Sequence, residues 1–150
     1  MKEIEGKLAA KGLKIALVAS RFNSFLVEQL VKGAADAYNR LGGDAAGLVL
    51  VRVPGAYEIP VTAKRLAASK KFDAVVGLGA VVQGATAHAA LINETTARAF
   101  TEIALETGVP VVDGVVSAEN LEQAVPRASG PRASVRPCPS ASSTRRWSPS

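Results

Sequence analysis

The residues best suited to chemistry are His88 and the small residues that precede it. Gly79, Gly84, Ala85 and Thr86 lead toward what reads as the start of a helix at His88. Exposed amides at a helix start, aided by the helix dipole, favour an anion such as phosphate. The same dipole disfavours an imidazolium, so His88 is expected to be neutral and ready to accept a proton. Three more side chains join this set. Phe22 offers a stacking face in an otherwise polar loop, Glu58 stands at another helix start, and Arg127 is a further candidate for phosphate. Each also has an ordinary alternative: a capping histidine, an acid favoured by the dipole of a first turn, a half-buried loop aromatic, a solvated arginine.

What must position these groups is an alternation of strands and helices. Residues 14–19 form a short apolar run ending at Ser20, the pattern of a strand buried on both faces. Residues 24–41 repeat apolar side chains at helical spacing through Leu26, Leu30, Ala34, Ala37 and Leu41, and Gly42-Gly43 stops them. A second strand is predicted over 48–53 and a helix over 58–69, with Pro60 admissible only in its first turn. Residues 72–78 read as a third strand, 79–87 as a loop, and 88–106 as the longest helix, closed by Gly108. A fourth strand over 110–116 leads to Ser117 as the N-cap of a helix over 118–124. Strands separated by helices imply parallel pairing with right-handed crossovers, hence an α/β fold with helices on both faces of the sheet.

In such a sheet, ligands bind beyond the carboxyl ends of the strands. Residues 20–23, 54–58, 79–88 and 113–114 are therefore expected to converge on one rim.

Composition narrows the class of function. A chain of 150 residues, 48% apolar and 21% charged, suits one folded domain without cross-links. A lone cysteine, Cys138, allows no internal disulfide, and one Cys with one His lacks the usual zinc frameworks. The charged N-terminus and the absence of a long apolar run point to the cytoplasm, with no membrane partner. The net charge of +5 comes from the end of the chain: Arg127, Arg132, Arg136, Arg145 and Arg146 stand there without one acid. The rest of the chain is neutral and offers no footprint for nucleic acid. Five of the eight prolines also fall in residues 126–150. The chain thus divides into a domain over 1–125 and a Pro/Arg/Ser-rich tail, expected to be irregular, over 126–150.

Taken together, the loop segments resemble lumazine synthase, an enzyme family of riboflavin biosynthesis. The resemblance rests on Ser20-Arg21-Phe22-Asn23, on Val53-Pro54-Gly55-Ala56-Tyr57-Glu58-Ile59-Pro60, and on Gly79-Ala80-Val81-Val82-Gln83-Gly84-Ala85-Thr86 with His88. Glu106-Thr107-Gly108-Val109-Pro110 and Asn120-Leu121-Glu122-Gln123-Ala124 extend it over about residues 3–125. It implies a flavodoxin-like α/β/α fold with a four-stranded parallel sheet in the order 2-1-3-4. It also implies the condensation of 5-amino-6-(D-ribitylamino)uracil with 3,4-dihydroxy-2-butanone 4-phosphate, without metal or organic cofactor. By that resemblance Phe22 stacks on the pyrimidine, Ala56, Tyr57 and Glu58 hold the ring and ribityl chain, and Ala80, Val81 and Val82 line the ring's edge. Ala85, Thr86 and Arg127 bind phosphate, and His88 moves protons. The family assembles as pentamers or sixty-subunit shells, with the position of Asp113 supplied by the adjacent chain.

The chain departs from the family pattern at 87–91, which reads Ala-His-Ala-Ala-Leu where the family has Pro before its histidine and two aromatics and an acid after it. Asp113 stands where the family has Phe, and Val135 about where it has a phosphate-binding Lys. Two functions are therefore open from the sequence: an active synthase, or a scaffold that keeps only assembly.

Overall fold

The computed structural model describes residues 1–84 and 87–118. Strand β1 (Ile15–Ser20) is buried along its whole length, as an unbroken apolar run requires of a strand covered on both faces. Helix α1 (Ser24–Arg40) turns Leu26, Val27, Leu30, Ala34 and Tyr38 inward. Gly42, at φ +86°, follows its end in a left-handed conformation that a Cβ would resist. Strand β2 (Leu48–Val53) leads through a 3-10 turn at Ala56–Glu58 into α2 (Ile59–Ala68), with Pro60 in the first turn of that helix. Strand β3 (Ala74–Val82), helix α3 (His88–Thr107) and strand β4 (Val111–Ala118) follow.

All four strands are parallel, in the order β2-β1-β3-β4. Helix α1 packs Leu26, Leu30 and Tyr38 on one face of the sheet, against Ile15, Leu17, Val76 and Leu78. Helices α2 and α3 cover the other face, where Ile59, Ala63, Phe100 and Ile103 meet Ala16, Val18 and Val75. This is the three-layer, flavodoxin-like α/β/α architecture. The chain winds outward in one direction from β1 to β2 and in the other from β3 to β4. The crevice where winding reverses lies at the carboxyl ends of β1 and β3.

Two local features hold the layers at their spacing. Phe100 and Ile59 lie directly over Gly77: a Cβ there would stand 2.6 Å from Phe100 Cζ and 2.9 Å from Ile59 Cγ2. Tyr38, absent from the helical face read from sequence, is buried, with its hydroxyl 2.8 Å from the Leu13 carbonyl oxygen and 3.0 Å from that of Asp44. It ties α1 to the entry of β1 and to the turn before β2.

The sheet corrects three local expectations. Residues 79–82 are not loop: Gly79, Ala80, Val81 and Val82 continue β3 and pair with Val115, Val116, Ser117 and Ala118. Gly79 resembles a loop residue only when read alone, because the partner that supplies its ladder is some 35 residues away in the chain. For the same reason Ser117 is a strand residue opposite Val81 and not a helix cap. Asp113 does not lie on the rim. It pairs with Gly77 in mid-sheet, below the level at which β1 ends, because β4 runs on to Ala118. The expected helix over 118–124 begins in β4, and residues 119–124 of it lie outside the described residues, as does the tail over 126–150.

Candidate active site

The loop after β1 is fastened on both sides. The Arg21 amide donates to the Val53 carbonyl at 2.8 Å and the Phe22 amide to the Pro54 carbonyl at 3.0 Å, so the exits of β1 and β2 run side by side. Asn23 then takes a left-handed conformation, φ 55° and ψ 44°, which asparagine tolerates better than most side chains. Its main-chain carbonyl starts α1 by accepting from Leu26 and Val27. Its side chain does not cap the helix. The Asn23 Nδ2 instead donates to the Ala80 carbonyl at 2.7 Å. β1 stops at Ser20 while β3 continues, so this amide takes over where the β1 ladder ends. Phe22 is left 71% exposed, a bare aromatic face at the crevice.

The loop after β2 approaches the same place. A Cβ on Gly79 would stand 3.5 Å from Ala56 Cβ, 3.5 Å from Ser20 Oγ and 3.3 Å from Ile59 Cδ1, so the end of β1 and the turn into α2 close on that glycine of β3. Glu58 folds back so that its Oε2 would lie 3.0 Å from a Cβ on Gly55. The turn over Ala56–Glu58 packs on β1, β3 and α3. Tyr57 is 64% exposed and Glu58 is also exposed, so both side chains are free to meet a ligand. Ala80 and Val81 are buried and Val82 half-buried. Ala80 and Val82 pack into the core on the α1 side of the sheet, and Asn23 occupies the Ala80 carbonyl.

His88 is the first residue of α3, exposed, with no hydrogen-bond partner for its imidazole among the described residues. The α3 N-terminus has no side-chain cap, since Ala87 carries no acceptor. Unsatisfied amides there remain open to an anion. Phe22 and His88 thus follow the carboxyl ends of the adjacent strands β1 and β3. Ala85, Thr86 and Arg127, the expected phosphate contacts, lie outside the described residues.

Asp113 stands apart from this group, on the outer strand β4. Its Oδ1 accepts from the Val115 amide at 3.0 Å, which satisfies one donor on the strand. Its tip is exposed, but the surrounding chain displaces enough water to push its carboxyl above the ordinary value of 3.8; the Val115 amide offsets part of that rise.

A model of the family described as 6,7-dimethyl-8-ribityllumazine synthase matches residues 12–138 of this chain. The chain belongs to the 6,7-dimethyl-8-ribityllumazine synthase family. It is 49% identical over 130 residues to the enzyme of that name from Desulfotalea psychrophila, covering 87% of this chain and 83% of that one. It is 47% identical over 128 residues to the one from Nitratidesulfovibrio vulgaris, covering 85% and 82%. The lumazine synthase match runs past Val125, where the composition changes, as far as residue 138. No helix among the described residues is long and apolar enough to cross a membrane.

Two contributors to this lumazine synthase crevice carry no strong signal in the sequence. An asparagine before a helix normally reads as an N-cap, whereas Asn23 spends its side chain on β3. Arg52 reads as an ordinary charged residue in a strand, and the structure sets it beside Arg21, Phe22 and Pro54 at the β2 side of the crevice.

Proposed function

We propose that this chain condenses 5-amino-6-(D-ribitylamino)uracil with 3,4-dihydroxy-2-butanone 4-phosphate to give 6,7-dimethyl-8-ribityllumazine, phosphate and water, in riboflavin biosynthesis. The observation that carries the reading is family membership together with the meeting of its motif loops at one crevice, where the Asn23–Ala80 hydrogen bond joins the Phe22 loop to β3.

The chemistry asks for two reactants in register. Phe22 stacks on the pyrimidine, while Ala56, Tyr57 and Glu58 hold the ring and ribityl chain and Ala80, Val81 and Val82 bound its edge. The start of α3, with Ala85, Thr86 and Arg127, holds the phosphate. The 5-amino group attacks the ketone carbonyl to form a Schiff base and release one water. His88 moves protons as the phosphate leaves and as the ribitylamino nitrogen closes the second ring on the remaining carbonyl with loss of a second water. Positioning supplies most of the acceleration, since no step needs a strong acid or a redox partner.

The working form is a homo-oligomer in the cytoplasm, a pentamer or a sixty-subunit shell, in which Asp113 of one chain borders the crevice of the next. An edge strand that presents an exposed carboxylate to solvent in the single chain suits that role.

The test is phosphate release with both substrates present. The unmodified protein should turn over, and His88→Ala should slow kcat by roughly 10²-fold, the contribution of one positioned proton carrier. A protein that releases no phosphate would overturn the assignment. Light scattering reads assembly separately, and a monomer of 15.5 kDa would overturn the oligomer.

A further inference from the structure

We propose that Asp113 closes the outer edge of β4 against strand addition, and that the partner it excludes is β4 of a second copy of this chain. The order β2-β1-β3-β4 pairs β4 with β3 alone among the described residues, so one side of the strand is a sheet edge. The Pro110 and Ala118 carbonyls face β3, where they accept from the Val75 and Gln83 amides at 2.9 and 2.8 Å. Even-numbered residues of β4 therefore turn their main chain toward β3, and Val111, Asp113 and Val115 turn theirs outward. The strand reads Val111-Val112-Asp113-Gly114-Val115-Val116. Outward amides and carbonyls on so valine-rich an edge form a template for another strand.

Asp113 interrupts that template. Its Oδ1 accepts from the Val115 amide at 3.0 Å, so the carboxylate leans over the edge and occupies a donor that an added strand would need. Its neighbours on the same face, Val111 and Val115, pack against the cluster under α2 and α3. Its partner in β3, Gly77, has no side chain to cover it, and Asp113 stays exposed. A charge set among apolar neighbours on an edge strand is a recurrent means of keeping that edge single.

The charge acts most strongly on a copy of itself. Two β4 edges can pair antiparallel about a two-fold axis through Asp113, as an isologous contact requires. Each carboxylate then stands opposite its counterpart, and like charges directly opposite destabilise a strand pair. The same group does not help the single chain to fold. Partial burial raises its carboxyl above the ordinary value, so ionised Asp113 lowers folding stability. Retaining a charge that folding does not need fits a residue whose task is to exclude an alternative pairing.

Sedimentation velocity on the full chain, over a wide range of concentration at pH 7, tests the proposal. Asp113→Val should lower by about tenfold or more the concentration at which chains associate beyond the form the unmodified protein takes. Its melting temperature should not fall, since a destabilising charge is removed. In the associated form the outward amides of Val111 and Val115 should exchange with deuterium about tenfold more slowly than in the dilute variant. Asp113→Lys puts a like charge back on the edge and should sediment as the unmodified protein does. Asp36→Val makes the same change of charge and composition at an exposed position of α1, and should also leave sedimentation unaltered. The proposal is overturned by an Asp113→Val protein that associates no more readily, or only as its melting temperature falls. It is equally overturned if Asp113→Lys or Asp36→Val associates as Asp113→Val does, or if association leaves the Val111 and Val115 amides unprotected. Mass and exchange are read without substrates, so a loss of turnover would bear on the synthase reading alone.

Discussion

The side-chain amide of Asn23 holds the main-chain carbonyl of Ala80 at 2.7 Å, and with that one bond the exit of β1 is pinned to the extension of β3. The loop that carries Phe22 and the strand that leads to His88 are thereby held in one arrangement. Removing this link should be felt in both stability and function.

Asn23→Ala should destabilise the fold by about 2 kcal/mol, part from a left-handed backbone that alanine resists and part from a carbonyl left unpaired. Asn23→Gly should recover the backbone part only. Urea unfolding of the three proteins separates the two contributions. An alanine variant as stable as the unmodified chain would show that the bond positions nothing.

Tyr38 provides a second test, through pH. Burial raises its phenol above the ordinary value of 10.0, with the hydrogen bond to the Asp44 carbonyl working the other way. The folded state thus keeps its proton to higher pH than the unfolded chain does. Stability from this group is complete below pH 10 and is lost as pH climbs toward the raised folded value. Tyr38→Phe should cost about 1–2 kcal/mol at neutral pH, the value of a buried hydrogen bond lost. It should also flatten the alkaline fall in melting temperature relative to the unmodified protein.

Gly77→Ala should destabilise by about 1–3 kcal/mol, as overpacking does. The added methyl meets Phe100 and Ile59, both buried, so one or both must shift within the core. Pairing it with Phe100→Leu should return part of the loss, measured as a double-mutant cycle in chemical denaturation.

Asp113 gives the opposite pH sign from an ordinary surface acid. Its carboxyl is raised by burial, so its stabilising form is the protonated one, complete below pH 3.8 and lost as pH rises through the folded value. Asp113→Asn imitates that form and keeps an oxygen to accept from the Val115 amide. The variant should melt higher than the unmodified protein near pH 7, with the gap closing as pH falls toward 4. A gap that stays constant across that range would show that ionisation of Asp113 is not its cause.

The alternation of elements was readable from apolar periodicity because each run answers to its own neighbours. The all-buried pattern of β1 and the helical stripe through Leu26, Leu30 and Ala34 both stand in the structure as read. Phe22, Glu58 and His88 were legible as candidates for the same reason: an aromatic in a polar loop, an acid at a helix start and a lone histidine are local facts.

Register, by contrast, is a relation between segments far apart in the chain. Only the paired sheet could carry β3 through Val82, turn Ser117 from a cap into a strand residue and lower Asp113 to the level of Gly77. The use of Asn23 against Ala80, of Tyr38 against Leu13, and of Arg52 beside Arg21 was likewise decided in three dimensions. The chain by itself determined which segments form strands and helices and which side chains could react, because local pattern governs both. Tertiary structure alone decided which of them meet, because a hydrogen bond or a shared cleft depends on distance in space and not on separation in sequence.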